Sequence, residues 1–525
     1  MDEFIARHRE KITGTLSGFD RLVLRGTLRA LTYPDAMRHY LYANEVLLKD
    51  FGAHVKQVSG KLKEASEREA RQLGRPVEYL TSSKASKEEI ARKIADKDGV
   101  RDGLVCVLSC VEPCQTFDIY RNREAKKLEL VGRQRKCVFI YHYWIDPKFG
   151  FMNARIQTWF PFSIQICMNG REWLGRQMDG EGIKYAAAGN CFPWIEDWAK
   201  AQRLMDQQRR TEWPKVLNPI ARQLNPVHGE IFARYPVSYY WSAYQSEWAI
   251  DVIFREPAEL RRLYPRLVHH GMTTFGSTDV MRYLGKRTRL NGEAPANFRG
   301  QVMSNLKERE EGIRIKHSVN GNSVKLYDKA FTAEGSVLRA ETTIQNVSDF
   351  RVYRSKEGDP DGTKSWRVMR RGIADIDRRE EVSEKATERY LNGYATVDDN
   401  VILEELITQL QKHTTWAGHR VRALRPFADD RPLLAAVTRG EFTVNGFRNR
   451  DLQTLLFSSA AKTPREARRR CAWITRQLRL LRAHGLIKKI AGTHRYQLTT
   501  AGRKVNVAIL TALRCTVAQL TQFAA

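Results

Sequence analysis

Two acids on separate predicted strands are the residues of this 525-residue chain best suited to do chemistry. Glu247-Trp248-Ala249-Ile250-Asp251-Val252-Ile253-Phe254 reads as a strand in which Trp248, Ile250, Val252 and Phe254 share one face. Glu247, Asp251 and Ile253 therefore share the other. Far downstream, Leu338 to Gln345 reads as a second strand, with Arg339, Glu341 and Thr343 on one face. Carboxylates brought by different strands to one side of a sheet form the oxygen-rich site that holds a magnesium or manganese ion. Asp251 and Glu341 are the expected ligands. Histidine and cysteine chemistry is not expected. His142, His228 and the pair His269-His270 are isolated, and Cys106, Cys110 and Cys114 are spaced by four, which suits a core rather than zinc.

The elements that must position the two acids are legible around them. A helix from Pro257 to His270 follows the first strand. The second strand closes a meander with Ile313 to Val319 and Ser323 to Lys329, joined at the tight-turn pair Asn320-Gly321. Together they form a small α+β sheet.

A different chemistry, recognition of a polyanion, is written near the C-terminus. From Asn445 to Lys504 there are 15 Lys and Arg against two acids, Asp451 and Glu466. Seven of the cations, Arg465, Arg468, Arg469, Arg470, Arg476, Arg479 and Arg482, flank one apolar stripe, Ala467, Cys471, Ile474, Leu478 and Leu481. Such a helix packs by its stripe and offers long cations to phosphates and guanine edges. A helix from Arg448 to Phe457 and a turn from Ser458 to Lys462 precede it. Thr463-Pro464-Arg465-Glu466 carries the cap, first-turn proline and capping-box acid that start it. Gly485 ends it. Leu486 to Ile490 and Arg495 to Leu498 read as a hairpin with its tip at Ala491 to His494, which puts His494 and Arg495 at the tip. Helix, turn, helix, hairpin is the order of a winged helix-turn-helix.

Two resemblances add to this reading. Leu478-Arg479-Leu480-Leu481-Arg482-Ala483-His484-Gly485-Leu486-Ile487 and Tyr496-Gln497-Leu498-Thr499-Thr500-Ala501-Gly502 resemble the winged helix of MarR-type transcriptional regulators. The resemblance covers about the last hundred residues and implies DNA binding. MarR-type proteins are dimers, so it also raises the expectation of a homodimer. Val324-Lys325-Leu326-Tyr327-Asp328-Lys329 with Leu338-Arg339-Ala340-Glu341 is similar to a run in rolling-circle replication initiators that lack paired metal-binding histidines. That resemblance implies a metal-dependent nick by a tyrosine, with Asp251 and Glu341 on the metal and Lys325 or Lys329 offsetting phosphate charge. It does not fix the nucleophile; Tyr353, Tyr390 and Tyr394 all follow the acids. A plasmid or mobile-element origin would suit such a protein.

Composition sets the limits. A formal net charge of +28 favours polyanionic partners, DNA or structured RNA. No apolar run is long enough to span a bilayer and no signal peptide opens the chain, which points to the cytoplasm and to reduced thiols. No internal repeat is seen. The fold class expected is α+β and multidomain, with antiparallel sheets packed against helices and a C-terminal winged helix. The divisions are a mixed helical region at 1–103, an aromatic-rich antiparallel sheet with packing helices at 104–235, an α+β core with the acids at 236–419, and the winged-helix domain at 420–525, entered through a linker from Arg420 to Pro432. The rival functions are a non-enzymatic MarR-like regulator and a protein that clasps a structured RNA through its basic, aromatic core, with Trp159 or Phe160 stacking on bases.

Overall fold

The structure is a computed structural model that describes residues 2–286, 301–309, 312–359, 361–395, 403–439, 442, 446–490, 493–513 and 516. Its fold is mixed α and β, dominated by one eleven-stranded sheet with helices packed against it. The N-terminal strands of that sheet are β1 (Ile12–Thr27), β2 (Val77–Tyr79), β3 (Gly103–Asn122), β4 (Lys127–Asp146), β5 (Gly150–Gln157) and β6 (Ile164–Asn169). A separate hairpin, β7 (Tyr185–Ala188) and β8 (Cys191–Ile195), intervenes. Then come β9 (Tyr240–Phe254), β10 (Val302–Arg309), β11 (Gly312–Val319), β12 (Asn322–Phe331) and β13 (Ser336–Ile344). Across the sheet the order is β10-β11-β12-β13-β9-β1-β6-β5-β4-β3-β2. The short edge strand β2 runs parallel to β3, and the other neighbours are antiparallel.

That order contains a duplication that the sequence does not display. β1 leads through helices into the meander β3 to β6, whose last strand returns to pair with β1. β9 leads through helices into the meander β10 to β13, whose last strand returns to pair with β9. The two halves meet where β1 and β9 pair antiparallel. Repetition therefore lies in connectivity. The sheet also runs across the divisions expected at 103/104 and 235/236, because strands from all three segments share its ladder.

Alternation along the strands decides what each face does. In β1, Leu22 and Leu24 are buried while Arg21, Val23 and Arg25 are half-buried. In β6, Ile164, Ile166 and Met168 are buried while Gln165, Cys167 and Asn169 are half-buried. The apolar face carries two neighbouring cores. One joins Leu22, Leu24, Ile156, Ile164 and Ile166 to helices Pro34–Ala43 and Phe51–Gln72. The other joins Ile250, Val252, Phe254, Leu338 and Ala340 to helices Pro257–Thr274 and Ile376–Asn392. Each large aliphatic side chain buried this way contributes about 1.5–3 kcal/mol.

The C-terminal region has a core of its own, built from Leu410, Leu424, Leu433, Leu434, Phe447, Leu452, Ile474, Leu478, Leu481 and Ile487, with Leu403, Leu406 and Ile407 packed against it. Leu424 is fully buried in it, so the stretch from Arg420 to Pro432 is part of that unit and not a linker. Its elements include helix Arg431–Val437, helix Asn449–Leu456, helix Pro464–Ala483, the hairpin Ile487–Lys489 with Tyr496–Leu498, and helix Thr500–Ala512. A bridge from Phe447 to Tyr496 adds a third short strand. Helix Leu403–Leu410 precedes these elements. No helix among the described residues is long and apolar enough to cross a membrane.

Candidate functional site

The expected acids lie on the expected face, opposite the apolar cores, but they are not partners. Asp251 pairs in register with Arg339 of β13, and Arg339 grips it from Nε at 2.6 Å and Nη2 at 2.9 Å. A second guanidinium, Arg171, closes on the same carboxylate from Nε at 3.2 Å. Both arginines are themselves buried. Burial alone would push the Asp251 carboxyl up, but Arg339 and Arg171 outweigh it and hold it below the ordinary value. Asp251 is thus one side of a buried ion cluster and has no oxygen to spare for a metal. The spacing of apolar residues could report its face but not the two cations waiting there.

Glu341 converges instead with Glu247 and Asp20, one oxygen from each lying within 4.8 Å of the others. Register explains the meeting. Thr343 stands opposite Glu247, so Glu341 is one step along β13 on the same face. Asp20 reaches them because β1 bulges between Phe19 and Arg21. Sequence reading missed Asp20, which comes from β1, far along the chain from both acids.

This triad could bind a divalent cation by spacing, but the place is already held. Lys325, opposite Glu341 across β12 and β13, makes a close ion pair with Glu341 and lies 3.5 Å from Glu247. Asp20 accepts from Asn190 Nδ2 at 2.9 Å and pairs with Arg339 at 3.1 Å. Burial raises the Glu247 carboxyl, with Glu341 adding to it, while Lys325 overcomes burial and holds Glu341 low. The ammonium of Lys325 already neutralises two of the three acids, so the residues do not fit a resident magnesium or manganese ion.

The three tyrosines do not reach these acids as nucleophiles would. Tyr390 and Tyr394 are fully buried in the core formed by Ile250, Val252, Leu338 and Ala340, on the opposite face of the sheet from Glu341. Tyr394 donates to the Tyr390 hydroxyl at 2.8 Å, and burial raises both phenols. The sheet itself therefore separates them from the triad. Tyr353 is exposed on a hairpin of its own, Arg351–Arg354 with Ser365–Val368, edge-on to Trp366. Tyr327 is the tyrosine on the acid face. It stands opposite Arg339, and burial followed by the charge of Glu341 pushes its phenol up to about 12.

The C-terminal module arranges its cations differently. On helix Pro464–Ala483, Arg465, Arg468, Arg469, Arg476 and Arg479 are exposed and make no ion pair or hydrogen bond among the described residues. At 100° per residue they fall within a sector about 100° wide. Ile474, Leu478 and Leu481 anchor the opposite side, while nothing before Ile474 is buried. The first half packs on the end of helix Asn449–Leu456 instead, with the Trp473 ring edge-on to Phe457 at 5.8 Å and the Arg470 guanidinium 4.6 Å from the Phe457 ring. Thr463 caps its start, accepting from Glu466 N at 3.2 Å. Two expected contacts are engaged elsewhere. Arg482 is half-buried over the Trp416 ring, 5.1 Å from its centroid. Arg495 is buried, donating to the Gly446 carbonyl at 3.1 Å, because its strand turns it toward the Phe447 bridge. His494 is exposed, and Ala491 and Gly492 of the tip lie outside the described residues.

No protein-family model matches the chain. No curated relative matches it either. Among solved structures it is similar to the di-domain ARO/CYC BexL from the BE-7585A biosynthetic pathway, at 11% identity over 60% of this chain and 94% of that one, with a TM-score of 0.17. An overlap that poor carries no argument about fold or function.

Of the residues expected to stack on nucleic acid, Phe160 is fully buried and packs on Phe162 and Tyr40, which removes it from any such role. Trp159 is half-buried with the Arg135 guanidinium 5.6 Å from its ring.

Proposed function

We propose that this is a nucleic-acid-binding protein whose C-terminal module is a winged helix that docks on duplex DNA. One observation carries the reading. Five unpaired arginines share one exposed sector of a helix, on the side opposite its buried residues. A helix of that kind can enter the major groove with its N-terminal half, where Arg465, Arg468 and Arg469 sit, while Arg476 and Arg479 meet phosphates. The module's remaining features support the same use. Its helix, helix, hairpin order places His494 at a tip suited to a second contact, and the chain's net charge of +28 favours a polyanion. The reading needs no metal and no tyrosine nucleophile.

The test is fluorescence anisotropy on labelled duplex DNA across a salt series, using the full chain and an Arg469→Ala/Arg476→Ala/Arg479→Ala variant. Each lost phosphate contact removes about 0.9 from the slope of log affinity against log salt, so the triple variant should flatten it by up to about 3 units. Unchanged affinity and slope would rule the docking out, and tighter binding to structured RNA than to duplex DNA would move the reading to an RNA-binding protein.

A further inference from the structure

The polar face of the great sheet is covered in part, by helices and by the β7–β8 hairpin, which packs Cys191 on Ile253 and Val337. Over β3 and β4, helix Lys87–Lys97 packs Ala91 and Ala95 against Cys106, Leu108, Tyr141 and Tyr143. Over the first part of β1, helix Trp198–Gln207 sits so close that a Cβ on Gly14 would meet the Trp198 ring at 2.3 Å and one on Gly18 would meet Met205 at 2.3 Å. Between these covers, the side chains facing outward from β1, β6, β5 and the start of β9 are neither buried nor fully exposed. They include Arg21, Arg25, Gln165, Cys167, Asn153 and Arg155. A strip of half-buried polar groups on a sheet flanked by helices is a trough.

Its floor contains a row read directly from the register. Arg25 pairs with Gln165, and Gln165 pairs with Arg155, so two guanidinium groups stand two strands apart, about 10 Å, with an amide between them. Their neighbours treat them unequally. Arg155 is held by Glu112 at 2.6 Å and lies over the Phe139 ring at 3.8 Å. Arg21, four residues back along β1, donates to the Cys167 sulfur at 3.0 Å. The Arg25 guanidinium has no hydrogen bond or ion pair among the described residues. Its Nε is buried without a partner, and its guanidinium lies 5.7 Å from the centroid of the Tyr244 ring. The charges that do face it are the wrong sign. Burial lowers its pKa; the Tyr244 hydroxyl opposes the lowering, and Arg155 and Arg371 add to it. Arg371 is itself exposed and unpaired among the described residues. Its carbonyl accepts from Ala243 N at 2.8 Å, which ties that segment beside the start of β9.

A half-buried cation among like charges costs folding free energy, and a fold keeps it where a ligand supplies the missing anion. We propose that this trough is a phosphate-binding site, with Arg25 as its principal ligand, Gln165 and Arg155 beside it, and Arg371 at its rim. Phosphate suits the site because guanidinium groups engage its oxygens in pairs and an amide can donate to a third. The site lies on a different unit from the C-terminal helix and goes beyond the DNA-docking reading.

The experiment uses the full chain and the variants Arg25→Gln and Arg25→Lys, each also carrying the Arg469, Arg476 and Arg479 alanine changes so that helix docking does not contribute. Thermal unfolding is followed in inorganic phosphate and in chloride at matched ionic strength. Anisotropy is followed with a labelled single-stranded oligothymidylate. The proposal expects phosphate to raise the Tm of the Arg25 protein and not that of Arg25→Gln. It expects Arg25→Gln in chloride to melt no lower than its parent, because the substitution removes an uncompensated charge. Arg25→Lys should retain part of the phosphate effect. If the ligand is a nucleic-acid strand, Arg25→Gln also weakens oligothymidylate binding about tenfold and flattens the salt slope by about 0.7. If it is a small phosphate ester, the phosphate effect stands and the oligonucleotide does not compete with it. A phosphate effect of equal size in Arg25→Gln, none in either protein, or a lower Tm in chloride for Arg25→Gln would each overturn the site.

Discussion

Lys325 decides what the acidic triad can do. Asp20, Glu247 and Glu341 bring oxygens within 4.8 Å of one another, the arrangement that a hard divalent ion accepts, and the Lys325 ammonium lies against two of the three. An ammonium on a tether competes with an ion arriving from solution. Replacing it by Met should leave buried acids without their cation and destabilise the protein by about 3–5 kcal/mol. Manganese should then restore part of that loss in Lys325→Met, while neither manganese nor a chelator moves the unfolding of the wild type. Urea melts in both conditions measure this, and a manganese-stabilised wild type would mean that the ammonium does not exclude the ion. The face of each acid could be read from alternation, because Trp248, Ile250 and Val252 fix the parity of β9. Which acids meet could not, because Asp20 enters through a bulge in a distant strand and Arg171 through a helix start.

That helix start is the clearest case of an element set by a single residue. Asn169 ends β6 and caps helix Gly170–Gly180, accepting from Arg171 N at 2.9 Å and Glu172 N at 3.1 Å. The next residue must be glycine, since a Cβ on Gly170 would fall 1.7 Å from the Phe19 carbonyl oxygen, an atom of backbone that cannot swing aside. The close approach delivers Arg171 to Asp251. Gly170→Ala should therefore force the helix off β1 and cost more than the few tenths to 1 kcal/mol of an ordinary glycine substitution, on the order of 2–4 kcal/mol. Denaturant unfolding measures this. A loss below 1 kcal/mol would show that the helix can shift without disturbing the buried ion cluster. An asparagine cap followed by a first-turn acid is a local signal, while what the glycine lies against is set by β1, which supplies the Phe19 carbonyl.

At the scale of the molecule, two kinds of core coexist. The sheet's cores draw on residues up to Ala395, and the C-terminal core draws on residues from Leu403 onward. Units whose buried contacts do not overlap unfold with separate cooperativity. Calorimetry should resolve two transitions, and duplex DNA should raise the one belonging to the C-terminal unit. A single transition that shifts as a whole with DNA would mean that the two units are energetically coupled. The division also sets how the two proposed contacts relate. Helix docking and the phosphate trough belong to different units, so the variants of one should leave the other intact.

The sequence by itself determined the local elements: the strand parity around Glu247 and Asp251, the Asn320-Gly321 turn, the Thr463 cap, and the helix, helix, hairpin order near the C-terminus. These depend on neighbours a few residues away, and periodicity and turn chemistry record such neighbours. The tertiary structure alone decided that β3 and β4 run unbroken, with Glu112 to Gln115 paired in register with Gln134 to Cys137. It alone decided that three expected segments share one sheet and that Tyr390 and Tyr394 lie across that sheet from the acids. It likewise gave Arg495 to a backbone carbonyl and left Arg25 without a partner. Each of these outcomes depends on strands paired from opposite ends of the chain, and no spacing within one segment encodes which strand lies beside it.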